Sequence, residues 1–543
     1  MRRLALLAVT IAAACNGSPK QYHDEPLLKV TSPDRGLIQD QAGLLAVSGT
    51  VTPNSQGDVI QSVVVNGTAA TVAADGTWSA SITVPPGATL INTIATDAFG
   101  DTAQDTRAVQ AGDEKNAGDN IPAAMTVALS TQAFAKIAQA AGPIVQGMDV
   151  NAMLAPMQPM QHSGDEDGPD CLYDELFVDN LTFSNVQIGL VPVEGGLSFS
   201  AQLSTLDVPG HVNYAVACID DSTDFEATAD VVTVTGTLVV TPDGNGAFAT
   251  TLANPDVEMT NFHLDASGLP GTILDMIDID NTIKGIIAST AEKQMGPLMN
   301  TALGALGGAQ NLNVLGKNVS VQVDPSDVHF TPTGGLITMD TKMLIEGSDA
   351  AKFIYTENGT PSYDPGQGFQ IGIADDLANE MLAEATSLGM FDLTLAQSAG
   401  PVDSVSLSAT LPPMISADPT DGTLRLVLCD MIATYLSNGT PIGKAAINAT
   451  VALQVGHSIN GSAAVLTLGT PVISVNVMDD IPNETGLDDA DLGTLTGIQL
   501  QGQIHTMTAL LGLIPIPSIE SLSVQNIDIG SDQGYVMMTG TIQ

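Results

Sequence analysis

Val127-Ala128-Leu129-Ser130-Thr131-Gln132-Ala133-Phe134-Ala135-Lys136-Ile137 passes from an apolar run straight into helical periodicity. Ser130 is the kind of residue whose side-chain oxygen accepts from an unpaired N–H in the first helical turn. The spacing predicts a helix from about Thr131 to Gly147, with Phe134, Ile137, Ala138, Ala141, Ile144 and Val145 on one face. A Met-rich and then acidic loop follows from Met153 to Asp170, and long alternating runs lie beyond it: 181–190, a hairpin at Gly195-Gly196, 197–203, 231–240 and 257–259. A second helix is predicted from about Ile283 to Leu306, carrying Ile283, Ile286, Ile287, Met295, Leu298, Met299 and Leu303, with Gly296-Pro297 set to bend it. Strands at 319–323 and 336–345 come next, and the order of helix, loop and strands recurs from Asp375 to Leu388 and onward. The second half thus repeats the first.

Upstream, residues 27–112 break into short alternating runs with Gly, Asn or Asp at each turn, the pattern of a β-sandwich. Trp78 fits its core better than an exposed platform for a sugar. Residues 113–122 are polar and Gly-containing and read as a linker. Two further units are expected, at 123–350 and 351–543, in keeping with a length of 543 residues.

At the N-terminus Arg2 and Arg3 precede an apolar run from Leu4 to Ala14, the form of a signal peptide. The run is far shorter than the roughly 20 apolar residues a spanning helix needs. Ala12-Ala13-Ala14-Cys15 resembles a bacterial lipobox, which implies an acylated Cys15 as a lipid anchor, with 16–26 as a tether and the outer membrane as the expected location. The departure is Ala where the lipobox usually has Leu. An ordinary cleavage site followed by a chance cysteine is the alternative.

The chain carries 60 acidic against 15 basic residues, a formal charge of −45. Such a field repels polyanions, so nucleic acid, bare anionic membrane surfaces and lipid A phosphates are poor partners unless a local basic patch exists; no basic cluster is found, and no nucleic acid is expected. Apolar residues make up 44% and charged residues 14%, which argues for a packed chain over a disordered one. Export permits a disulfide, and Cys171 with Cys218 is the expected pair, leaving Cys429 as a buried thiol.

Catalytic and metal-binding patterns are sparse. The seven histidines show no metal-ligand spacing, and no cofactor motif is found. Gly456-His457-Ser458-Ile459-Asn460-Gly461 imitates a nucleophile elbow, but Asn460 stands where the second glycine belongs. Asp165-Glu166-Asp167-Gly168-Pro169-Asp170 and Asp488-Asp489-Ala490-Asp491 have the oxygen ligands to hold calcium but lack the EF-hand spacing, and the expected reading is solvated acidic loops. The expectation is a protein that is not an enzyme.

Two resemblances add to this. The Val-Asn-Gly and Ala-Asp-Gly-Thr-Trp stretches (65–67 and 74–78) and the run 91–100 resemble bacterial immunoglobulin-like modules of the glucodextranase domain B kind. The strand-to-helix passage at 127–131, its counterpart Gly368-Phe369-Gln370-Ile371-Gly372-Ile373-Ala374-Asp375-Asp376-Leu377, the run 413–424 and the closing run 514–529 resemble the tubular lipid-binding superfamily of bactericidal permeability-increasing protein and cholesteryl ester transfer protein. That second resemblance covers 121–543. It implies an α+β fold in which the β-sandwich is followed by two elongated barrels, each a curved antiparallel sheet wrapped around a long helix, with lipid in an apolar slot. Slot residues would come from the helix faces: Phe134, Ile137, Ile144, Val145, Ile283, Ile286, Leu377 and Met381. Members that seize lipopolysaccharide use a cationic tip, which this acidic chain lacks. The expected partners are therefore an acyl-chain lipid and, through Cys15, a membrane. A structural or adhesion lipoprotein without a ligand, and an exported hydrolase using His457, are the rival classes.

Overall fold

The computed structural model of the chain describes residues 24–543, apart from 166–167, 169–170, 304–307, 315, 365–367, 419–422, 458–463, 479–480, 488–490, 498–499, 501–503, 505–506, 508–523 and 543. Cys15, the signal peptide, most of both acidic loops, 458–461 of the elbow-like run and 514–523 of the closing run lie outside the described residues.

Ile121–Ser130 is the strand about which the molecule is organised. It pairs antiparallel with Gly334–Ile345 on one side and with Phe369–Ala374 on the other. The sheet extends outward through Lys317–Thr331 and Gly308–Val314 in one direction, and through Tyr535–Ile542 and Val524–Asp532 in the other. This central sheet draws strands from both expected units, so the boundary at 350/351 does not divide two separate sheets. Local alternation marks each strand but carries no record of its distant partner.

Helices leave this sheet directly. Thr131–Gln146 follows Ile121–Ser130, and Ser130 caps it, accepting from the Ala133 N–H at 3.2 Å. The Ser130 hydroxyl also donates to the Gly368 carbonyl at 3.1 Å, tying the cap to the start of the second half. Asp375–Ser387 follows Phe369–Ala374 in the same way. Gly335 keeps the first junction tight, because a Cβ there would lie 2.8 Å from the Phe330 ring, which packs against Phe134 with centroids 5.8 Å apart.

The first wing is a long antiparallel sheet whose middle strands, Gly196–Val216 and Ile219–Pro242, pair from Leu197 with Leu238 to Val216 with Ile219. Thr182–Val193 and Phe248–Thr260 flank them. The expected hairpin turns on Glu194-Gly195, with Gly195 at φ 77°, while Gly196 already pairs with Val193. These two outer strands are not paired with each other among the described residues, so the sheet is an open trough. The helix Thr131–Gln146 lies along one outer strand and Ile279–Leu303 along the other. The latter helix starts four residues earlier than its periodicity suggested and holds Pro297 inside it. Cys171 and Cys218 are bonded at the far end of this wing, 2.06 Å between sulfurs.

The second wing runs Leu393–Ala399, Val402–Ser408, Leu424–Ser437, Thr440–His457 and Ala464–Leu468, with Met414–Ala417 and Val472–Val477 added at its sides. The helix Asp375–Ser387 is packed between it and the central sheet.

Residues 27–111 form the expected sandwich, a four-stranded and a five-stranded sheet closed over Val47, Val63, Val65, Trp78 and Ile91. The linker expectation is corrected. Asp113–Asn116 is a strand paired with Lys352–Tyr355, and the Lys115 ammonium sits 3.7 Å over the Tyr355 ring. A polar run resembles a hinge only until a remote strand takes up its backbone groups.

The sandwich also docks on the second wing. Asp430 is fully buried and accepts from the Arg35 guanidinium at 2.8 Å, from the N–H groups of Gly36 and Ala108 at 3.1 Å each, and from Asn448 Nδ2 at 3.0 Å. Asn476 bonds the Thr106 N–H and the Gln104 carbonyl beside it. Cys429, next in the chain, is a buried thiol whose pKa burial pushes up to about 12. Removing one partner of such a buried pair strands the other charge. Arg35→Ala should therefore cost about 3 kcal/mol, read as a lower denaturant midpoint; an unchanged midpoint would show that Asp430 does not depend on Arg35.

Candidate functional site

The concave face of the first wing carries an apolar cavity of about 660 Å³, its open mouth included. Its floor is made by the inward residues of the trough: Phe183, Ile188, Phe199, Ala201, Leu203 and Val234. These alternate because successive side chains of a strand point to opposite faces. One wall is the end of the first helix and the strap that follows, with Val145, Met148, Val150 and Met153; the other is the long helix, with Ile287, Thr290, Ala291, Gln294 and Met295. Thr290 and Gln294 are the only polar side chains among these described lining residues.

Two amides pin the strap. Asn151 bonds Asn180 and the Leu181 N–H, and Gln158 bonds both backbone groups of Val178. The short helix Val150–Leu154 is capped by Asp149, which accepts from the Ala152 N–H at 3.0 Å.

Of the eight candidate slot residues, only Val145 lines this cavity. Its neighbour Ile144 is 49% exposed, because consecutive helical residues are about 100° apart and only one of the two can face inward. Phe134 and Ile137 are buried two to three turns earlier, against the central sheet, and belong to the core. Ile283 and Ile286 are likewise core; the cavity begins at Ile287 on the same helix. Leu377 and Met381 are buried on the helix Asp375–Ser387. The strand residues and the methionines were missed as site residues, although the alternation of Leu197, Phe199, Ala201 and Leu203 already marked an inward face.

The helix that holds Leu377 and Met381 carries an unexpected feature. Asp376, Glu380 and Glu384 recur every four residues on one buried stripe, with Asp375 beside them. Each of the three accepts from the backbone of an adjoining segment: Asp376 from Thr356 at 2.8 Å, Glu380 from Gly118 at 2.8 Å, and Glu384 from Ile345 at 2.6 Å. The second oxygen of Glu380 has no hydrogen-bond partner among the described residues. Burial pushes the pKa of Glu380 up to about 9, Glu384 to about 8 and Asp375 to about 7, and raises Asp376 well above the carboxylate range. Glu384, Asp119 and Asp376 add like-charge repulsion at Glu380. Burial thus favours the protonated form along the stripe, and Glu380 ties the 113–120 segment to this helix.

Elsewhere, His211 stacks on Phe177 with centroids 4.9 Å apart and meets Asp179 at 2.9 Å. His457 ends the strand Thr440–His457, and the residues after it lie outside the described set. No helix among the described residues is long and apolar enough to cross a membrane.

Comparison with known proteins gives one family match. Residues 26–112 match the model for glucodextranase, domain B, the unit seen here as the sandwich. No curated protein matches the chain. Among solved structures, lipopolysaccharide binding protein is similar over 78% of this chain and 99% of its own, at 12% identity and a TM-score of 0.42. P47 of Clostridium botulinum E1 is similar over 79% of this chain and 100% of its own, at 7% identity and a TM-score of 0.27.

The buried carboxyls set a pH dependence. Their folded pKa values lie above the ordinary glutamate value of 4.5, so the folded state binds more protons than the unfolded one between 4.5 and about 9. Stability should be greatest at the acid end of that window and fall as pH rises through about 8 to 9. Glu380→Gln with Glu384→Gln should flatten the decline, measured as denaturant midpoints between about pH 5 and pH 9. An equally steep decline in the double variant would show that other groups cause it.

Proposed function

We propose that the chain is an exported lipid-binding protein that holds an aliphatic chain in the first-wing cavity. The observation that carries this is the lining itself, aliphatic, aromatic and thioether side chains on every wall with a single Thr and a single Gln. Each CH₂ moved from water into such a lining gains about 0.8 kcal/mol, so burial alone supplies affinity and no catalytic group is required. The strand-to-helix passage at Ser130 and again at Ala374, on either side of one shared sheet, supports placing both halves with the tubular lipid-binding proteins. The charge of −45 argues against lipid A phosphates as the recognised feature. In this reading the chain is not an enzyme, and an acylated Cys15 holds it at the cell envelope, at the outer membrane.

The test is organic extraction and mass spectrometry of a soluble Cys15→Ser form secreted to a bacterial periplasm. It should release a near-stoichiometric acyl lipid, and Ala291→Trp or Ala201→Trp, which fill the cavity from its wall and its floor, should lose it. A folded wild-type cavity that yields no lipid overturns the proposal. Cys15→Ser should also move the protein from the membrane to the soluble fraction, whereas continued membrane association would remove Cys15 as the anchor.

A further inference from the structure

Two buried carboxyls at one end of the N-terminal sandwich bring like charges together. Asp58 stands two residues before the strand Ile60–Val65, and Asp97 closes the strand Gly87–Asp97 that pairs with it, Ile60 lying opposite Asp97. Asp97 is fully buried and Asp58 is 7% exposed, and their side chains lie within hydrogen-bond reach of each other. One oxygen of each is used. Asp97 Oδ1 accepts from the Phe99 and Asp101 N–H groups at 2.9 Å each, and Asp58 Oδ1 accepts from the Val59 N–H at 2.7 Å. Both Oδ2 atoms are buried and have no hydrogen-bond partner among the described residues. Burial raises the Asp97 pKa, but the Asp101 N–H, the Asp58 side chain and the Phe99 N–H outweigh it and hold this carboxyl below its ordinary value.

A carboxylate set against a second carboxyl, out of water, needs either a proton shared between the two or a cation. The N–H groups on the first oxygens favour the charged forms, so a cation is the better match. No cluster of three His, Cys, Asp or Glu side chains is found among the described residues, so the donors at hand are these two carboxylates and the carbonyls of the turns 53–59 and 97–101. All of them are oxygen. Calcium accepts carboxylate, carbonyl and water oxygens in a flexible shell, whereas magnesium demands a strict octahedron and structural zinc prefers nitrogen or sulfur. The two turns already touch, the Ala98 N–H donating to the Val59 carbonyl at 2.9 Å. The first of them also meets the chain arriving from the N-terminus, where the Asp24 N–H donates to Ser55 Oγ at 2.7 Å.

We propose that Asp58 and Asp97 hold a calcium ion that clamps the turns 53–59 and 97–101 and stiffens the end of the sandwich that receives the N-terminal segment. With two charged ligands the affinity is that of extracellular calcium modules, a dissociation constant of about 10⁻⁴ to 10⁻³ M.

Trp78 is the chain's single tryptophan and lies in the core of this sandwich, so its fluorescence reports on the module that carries the site. Denaturant unfolding of the full-length Cys15→Ser form, stripped by a chelator, is followed at Trp78 without metal and with about 10 mM calcium or magnesium at constant ionic strength. Calcium should raise the folding equilibrium constant about ten- to a hundredfold. Asp58→Asn should remove that gain and still fold without metal, because its amide can donate to Asp97 Oδ2. Asp97→Asn, the second variant, should lose the gain as well. A calcium gain that survives both substitutions, or one that magnesium equals, overturns the site. No gain in the wild-type chain also overturns it and leaves a shared proton between the two carboxyls.

Discussion

The pairing of Ile121–Ser130 with strands from both halves is the constraint on which the rest of the molecule depends. From Met125 to Leu129 the strand is bonded on both edges, and its nearly continuous burial reflects cover on both faces. From its end the first helix departs at a fixed angle, set by the Ser130 cap and by the close approach at Gly335. That helix in turn closes one side of the trough, so the cavity inherits its position from the central sheet.

Two polar devices attach what the central sheet does not reach. Asp430 gathers donors from the sandwich and from its own wing, which makes the N-terminal module part of the second half's packing rather than a trailing spacer. The carboxyl stripe of Asp376, Glu380 and Glu384 bonds backbone N–H groups of segments far apart in sequence. The first device sets a buried carboxyl against a guanidinium, and in the second burial favours the protonated form. Both follow from the same rule, that an isolated buried charge is too costly to keep.

The cavity shows how a helical stripe divides between structure and site. Val145 and Ile144 are neighbours in sequence and in hydrophobicity, yet one lines the cavity and the other faces solvent. Phe134 and Ile137 share Val145's helix and serve only the core. Periodicity marks a face. It does not say how far along the helix the cavity runs, because that depends on which strand residues of the trough lie opposite.

What the sequence determined by itself was local: the sandwich over 27–111, the Ser130 cap, the helices beginning near Thr131 and Asp375, and the acidic excess. Each rests on turn chemistry, capping or composition within a short window. Tertiary structure alone decided that 113–116 is a strand, that both halves share one sheet, that Asp430 receives Arg35, and that the cavity falls to Val145, Met153, Phe199 and Ile287. Those features are contacts between residues distant in the chain, and a pattern of hydrophobicity states which face is buried without stating against what.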